Sequence, residues 1–176
     1  MKTSMKVFSS SDAFTTLLTN VNNPFLLLFT GIGLTALLQS SSALTTILIA
    51  MVTAGLTIGR GPNDILYVVL GTNIGSCVTA LLSSFGASTN GKRASLIHLM
   101  FNTFGSVIFF IVLLLWPSFM EDTFLAWFPG APGTQIAMFH TFFNVLFTLL
   151  FCPFINVFVF VATKGKFTKI RKERKH

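Results

Sequence analysis

Four stretches of this sequence, residues 13–59, 65–91, 94–120 and 123–163, contain no Asp, Glu, Lys or Arg. As a helix rising about 1.5 Å per residue, even the shortest is about 40 Å long, and a bilayer core is crossed by about 20 apolar residues. Only 10% of the residues are charged and 52% are hydrophobic, with a mean hydropathy of +0.76. An ordinary soluble domain carries about 25% charged residues. So few charges cannot cover a globular surface, which excludes a water-soluble domain. The chain reads as one all-α integral membrane unit.

The charges between the bare stretches suggest an orientation. Most of the net charge of +7 comes from Lys164 to Lys175, which holds seven Lys/Arg against Glu173 alone. Beside a hydrophobic span, such a tail marks the cytoplasmic face and not a nucleic-acid site. The chain thus divides into a membrane-embedded part, 1–163, and a basic cytoplasmic tail, 164–176. Counting crossings backwards puts Glu121 and Asp122 outside, Lys92 and Arg93 inside, and Arg60 and Asp64 outside. Tyr67, Trp116 and Trp127 then fall near the outer interface, where aromatic residues concentrate. The polar run Thr19 to Asn23 breaks any apolar leader, so no cleavable signal peptide is expected. Cys77 and Cys152 stand in apolar runs without metal-ligand spacing and are expected to be free thiols.

Residues 13–20 suit a brief helix, and Asn23-Pro24 suits a helix start. From Phe25 to Ile58 the chain is apolar apart from Gln39-Ser40-Ser41-Ser42, which separates two arms of about 14 and 16 residues. Each arm is short for a crossing, so a re-entrant helical hairpin fits better than one long helix, with two thin spanning helices as the alternative. Gly59 to Asp64 is a turn. The run 65–86 spans once, with Gly71-Thr72-Asn73-Ile74-Gly75-Ser76 expected to interrupt its helix. Residues 94–116 form the cleanest span, and a last one starts near Gln135 with a kink at Pro153.

Polar side chains in hydrocarbon need partners, which makes the serine run the first candidate site. If a helix restarts near Ala43, the serines cap it and its N–H groups face the break, which is an anion site without a buried cation. The arm before the break ends in free carbonyls that suit Na⁺. In the second motif, Thr72, Asn73 and Ser76 supply oxygen ligands, while Gly71 and Gly75 alternatively have the spacing of a close helix contact. His98 and Asn102, and again His140 and Asn144, share the pattern His-x-x-x-Asn. Hydrogen bonds between helices are expected for both pairs. The four bare stretches hold no carboxylate, so acid–base hydrolysis lacks its players, and an intramembrane hydrolase using Ser41 and His98 is not expected.

Taken together, Gln39-Ser-Ser-Ser-Ala43 and Gly71-Thr-Asn-Ile-Gly-Ser76-Cys-Val-Thr-Ala80 resemble the bacterial sodium/phosphate cotransporter family related to the animal type II carriers. Asn23-Pro24, Lys92-Arg93-Ala94 and the two His/Asn pairs follow in that family's order, over about residues 14–163. The resemblance implies Na⁺-driven phosphate symport in the cell membrane, with no cofactor beyond Na⁺ as coupling ion. Such carriers have two Gln-Ser-Ser-Ser repeats in inverted arrangement, and this sequence is similar to the second. Carried over, Gln39, Ser40, Ser41, Ser42 and Asn73 would bind phosphate, and Ser42, Thr72, Asn73 and Ser76 would bind Na⁺. Ser76 stands where the family usually has Thr. The expected partners are phosphate, Na⁺, the bilayer and a second repeat, with no nucleic acid. One repeat is half a site, so a partner chain, a second copy or a longer parent protein would complete it. Alternatives are a Na⁺-coupled carrier of another anion, or a non-transporting membrane interaction protein or relic.

Overall fold

The computed structural model of the chain describes Thr16 and residues 18–164. The basic tail beyond Lys164 and most of the short helix expected at 13–20 lie outside these residues. Helix α1 (Pro24–Leu38) starts at the expected place: Asn23 Oδ1 accepts the N–H groups of Phe25 at 2.9 Å and Leu26 at 3.4 Å, and Pro24 occupies the first turn. It ends at Gln39, and α2 (Ser41–Thr53) begins two residues later. At 15 and 13 residues the arms are about 22 and 20 Å long, short of the roughly 30 Å hydrocarbon core. The Gly59 N–H donates to the Leu18 carbonyl at 3.0 Å. Entry to and exit from the hairpin are thereby tied together at one end of the molecule.

Helix α3 (Asp64–Ser84) follows, then α4 (Thr89–Leu115), a π-helical turn (Glu121–Leu125) and α5 (Pro132–Phe151). At Pro153 the chain passes through a 3₁₀ turn (Cys152–Phe154) into α6 (Ile155–Lys164), so the expected kink is present. Three helical segments, Asp64–Ser84, Thr89–Leu115 and Pro132–Thr163, are long and apolar enough to cross a membrane. The hairpin and these three spans make an all-helical fold.

One expectation fails. Helix α3 runs unbroken through Gly71–Ser76 instead of unwinding. Its glycines serve a neighbour. A Cβ at Gly71 would collide with the Leu28 carbonyl oxygen, and one at Gly31 with that of Val68. A Cβ at Gly75 would lie 2.7 Å from both the Ile32 carbonyl oxygen and the Thr35 Cβ. Small residues thus let two helix backbones touch, the usual means of helix association in lipid. The matched residues advance in the same direction on both helices, so α1 and α3 are parallel. One further turn puts the hairpin tip about level with Thr79, short of the end of α3.

Antiparallel to α3, α4 is held by hydrogen bonds along its length. Ser95 Oγ donates to Ala80 O at 3.0 Å and Ser106 Oγ to Leu70 O at 3.3 Å. At the far end the buried Asn63 amide donates to Leu113 O (3.2 Å) and Trp116 O (2.8 Å), and its Oδ1 accepts from Met120 N (3.0 Å). The hairpin tip therefore points toward the end that carries Lys92 and Arg93, away from Arg60, Asp64 and Glu121. Tyr67, expected at an interface, is buried against the Phe110 ring instead. Trp116 and Trp127 are exposed. Between α4 and α5 the core is aromatic: the Phe109 ring meets Phe119, Phe139, Phe143 and Phe147 at centroid distances of 5.3, 5.4, 6.0 and 6.2 Å.

Candidate functional site at the hairpin break

Gln39 has φ 53° and ψ 26°, the one non-glycine residue with positive φ among those described. That left-handed turn costs about 1–2 kcal/mol for a residue with a Cβ. It stops α1 and redirects the chain so that a new helix starts at once. Ser40 is extended, and its Oγ accepts the Ala43 N–H at 3.2 Å and lies 3.1 Å from Ser42 Oγ. The first N–H groups of α2 have no acceptor within the helix and carry the positive end of its dipole. Gln39 and Ser42 are exposed, and Ser40 and Ser41 are half-buried. The arrangement is an open helix N-terminus ringed by hydroxyls, chemically suited to an oxyanion.

The α3 motif is deeper. Thr72 and Asn73 are buried, and Ser76 is half-buried. Thr72 Oγ1 donates to Val69 O (2.8 Å), Asn73 Nδ2 to the same carbonyl (3.3 Å), and Ser76 Oγ to Asn73 O (2.7 Å). Each bond uses a donor and leaves oxygen lone pairs that can face a cation. No hydrogen bond joins the serine run to this motif among the described residues. Helix α1 links them, with its Thr35 against Gly75 and its C-terminus leading into the break.

The His/Asn amides bond within their own helices, while one link between helices is present at the first pair, where Cys77 Sγ donates to His98 O at 3.6 Å. Asn102 Nδ2 donates to His98 O at 3.0 Å and Asn144 Nδ2 to His140 O at 2.7 Å, both within one helix. A spacing of four residues places an amide under the preceding carbonyl, and that local bond wins. Among the described residues no group of three or more His, Cys, Asp or Glu is arranged to hold a metal. At the other end of the molecule, a mostly apolar cavity of about 660 Å³ lies between the 55–62 loop, the π turn and the start of α5. Beside it Asp122 Oδ2 accepts from Ser118 Oγ (2.6 Å) and Trp116 Nε1 (2.7 Å), and these bonds hold its carboxyl below the ordinary value.

Two residues near the break were not singled out from the sequence. Thr35 and Thr45 are buried, and neither hydroxyl has a hydrogen-bond partner. The available signal was their place: hydroxyls in apolar arms, each about one turn from the serine run.

A helical hairpin broken at a serine-capped helix start, packed on three helices long and apolar enough to span a membrane, defines a helical membrane protein. The chain belongs to the Na⁺/Pi-cotransporter family, whose pattern it matches over residues 1–120. That membership makes it a membrane protein of a transporter family and not of an enzyme family. It is also 33% identical over 131 residues to an uncharacterized protein, YqeW, of Bacillus subtilis (strain 168). The match covers 74% of this chain and 40% of that relative, so the chain spans well under half of the relative's length. No solved structure matches.

Proposed function

We propose that this chain carries one half of a sodium-coupled phosphate transport site. The observation that carries the reading is the open N-terminus of α2 at Gln39–Ser40, with Ser40 Oγ and Ser42 Oγ 3.1 Å apart. Ser40, Ser41 and Ser42 bind phosphate through hydroxyls and the helix N–H groups, with Gln39 shaping the turn and Asn73 contributing from α3. Ser42, Thr72, Asn73 and Ser76 bind Na⁺. With no fixed cation at the break, Na⁺ supplies the compensating charge, so the fully loaded and the empty sites are the species that cross at low cost. A second repeat, from a partner chain or a second copy, closes the site from the other side. The protein acts in the plasma membrane with its basic tail in the cytoplasm.

Equilibrium binding of radiolabelled phosphate to this chain assembled with its second repeat, in NaCl and in choline chloride, tests this. Binding is expected in NaCl only, and Ser41→Ala weakens it about ten-fold or more through the loss of a hydrogen bond to a charged group. Phosphate binding that ignores both Na⁺ and Ser41→Ala overturns the reading.

A further inference from the structure

Among the described residues, Arg60, Asp64, Glu121 and Asp122 carry the charge at the end of the spans opposite Lys92 and Arg93. Two of them are engaged in the fold. Asp64 is buried, and its Oδ2 accepts the Arg60 N–H at 2.7 Å and the Gly61 N–H at 2.8 Å. The loop is wrapped so closely that a Cβ at Gly59 would collide with that carboxylate. The Asp122 carboxylate is taken by Ser118 and Trp116. Arg60 and Glu121 remain. Both are exposed, and neither has an ion-pair partner among the described residues. Both also line the cavity of about 660 Å³. Its other walls are mostly apolar, with Leu56, Ile58, Ile65, Leu125 and Ile136 among them. Helix α3 starts at Asp64, α4 ends at Leu115 and α5 starts at Pro132, so the cavity lies where the three spans end. That is the level of lipid headgroups, and the exposed Trp116 and Trp127 belong to it as well.

We propose that this cavity binds one zwitterionic phospholipid, with an acyl chain between the apolar walls, the phosphate on Arg60 and the ammonium group on Glu121. The volume is that of a ligand site, typically about 300–1,000 Å³. One free charge of each sign at the mouth matches a headgroup that carries one of each. A guanidinium offers two parallel N–H groups to phosphate oxygens, and a carboxylate accepts from an ammonium group. An anionic lipid would satisfy Arg60 and set its net charge against Glu121. A free phosphate ion would leave the apolar walls in contact with water.

Thermal unfolding of the purified full chain in Na⁺-free detergent solution tests the assignment, with phosphatidylethanolamine, phosphatidylglycerol or inorganic phosphate added. The midpoint is expected to rise saturably with phosphatidylethanolamine, less with phosphatidylglycerol and not with inorganic phosphate. Glu121→Gln weakens the apparent affinity for the ethanolamine lipid about three- to five-fold and leaves that for the glycerol lipid unchanged, whereas Arg60→Gln weakens both. Both residues are exposed, so these variants keep the midpoint measured without lipid. Leu56→Trp fills the cavity and removes the response, and Asp122→Asn keeps it. Equal responses to the two lipids overturn the proposal, as does a response that Arg60→Gln, Glu121→Gln and Leu56→Trp all leave unchanged. A response to inorganic phosphate that Arg60→Gln abolishes overturns it in favour of a free anion. No saturable response to either lipid overturns it in favour of a protein segment as the occupant.

Discussion

The hairpin and the α4–α5 pair are assembled by opposite means. Where α1 meets α3, glycines remove side chains and the backbones touch, with Gly31 at Val68 and Gly71 at Leu28. Where α4 meets α5, phenylalanine rings fill the space, and Gly105 lies against the Phe147 ring, which an added Cβ would approach to 3.1 Å. Polar groups divide in the same way. In α5 the hydroxyls of Thr141 and Thr148 and the Asn144 amide are satisfied by their own helix. Around the break, helix ends, exposed serines and two unpartnered threonines leave hydrogen-bonding capacity over. Aromatic packing fills the α4–α5 interface, whereas backbone packing leaves unspent oxygens around the break.

Substitutions on each side should separate the two. Phe109→Ala opens a cavity in the aromatic core and is expected to cost about 3–5 kcal/mol, read as a lower unfolding midpoint. Labelling of a cysteine placed at Ser42 should stay as it was, because the hairpin does not rest on that ring; changed labelling would break the distinction. Gly71→Val forces a side chain onto the Leu28 backbone and is expected to cost about 3 kcal/mol. Here the same cysteine label should react differently, since α1 has to move. Unchanged stability and labelling would show that the two backbones are not in contact.

The smallest effect concerns the scaffold's outer turn. The Asp122 carboxylate accepts from Ser118 and Trp116, so its pKa in the fold is below the ordinary 3.8. A depressed carboxyl contributes stability above its unfolded pKa and loses it as pH falls through the folded one. In a Trp127→Phe background, Trp116 emission should stay constant from neutral pH down to the ordinary carboxylate range and change only below it. Asp122→Asn should abolish that change. A midpoint at or above the ordinary value would contradict the bonding.

Much of the scaffold was legible because hydrocarbon excludes charge: the bare stretches located the spans, and Pro153 located the bend. The break was legible too, since four polar residues inside an apolar run have few other uses. What could not be read was decided by neighbours. Gly71 and Gly75 suit an unwound helix or a close contact equally well, and only the adjacent α1 selects the contact. Tyr67 carries the composition of an interface residue, yet Phe110 buries it. His-x-x-x-Asn looks like a bridge between helices until the amide finds a carbonyl on its own. Thr35 and Thr45 were hidden for the same reason, because an unmet hydroxyl is a property of its surroundings.

The bond between Gly59 N–H and the Leu18 carbonyl makes everything between them a detour, leaving the chain's path and returning to the same point. Its arms then act as a ruler. Their residue count sets how far beneath either membrane face the serines hang, and a turn added to both arms would shift that depth while the three spans kept their connections.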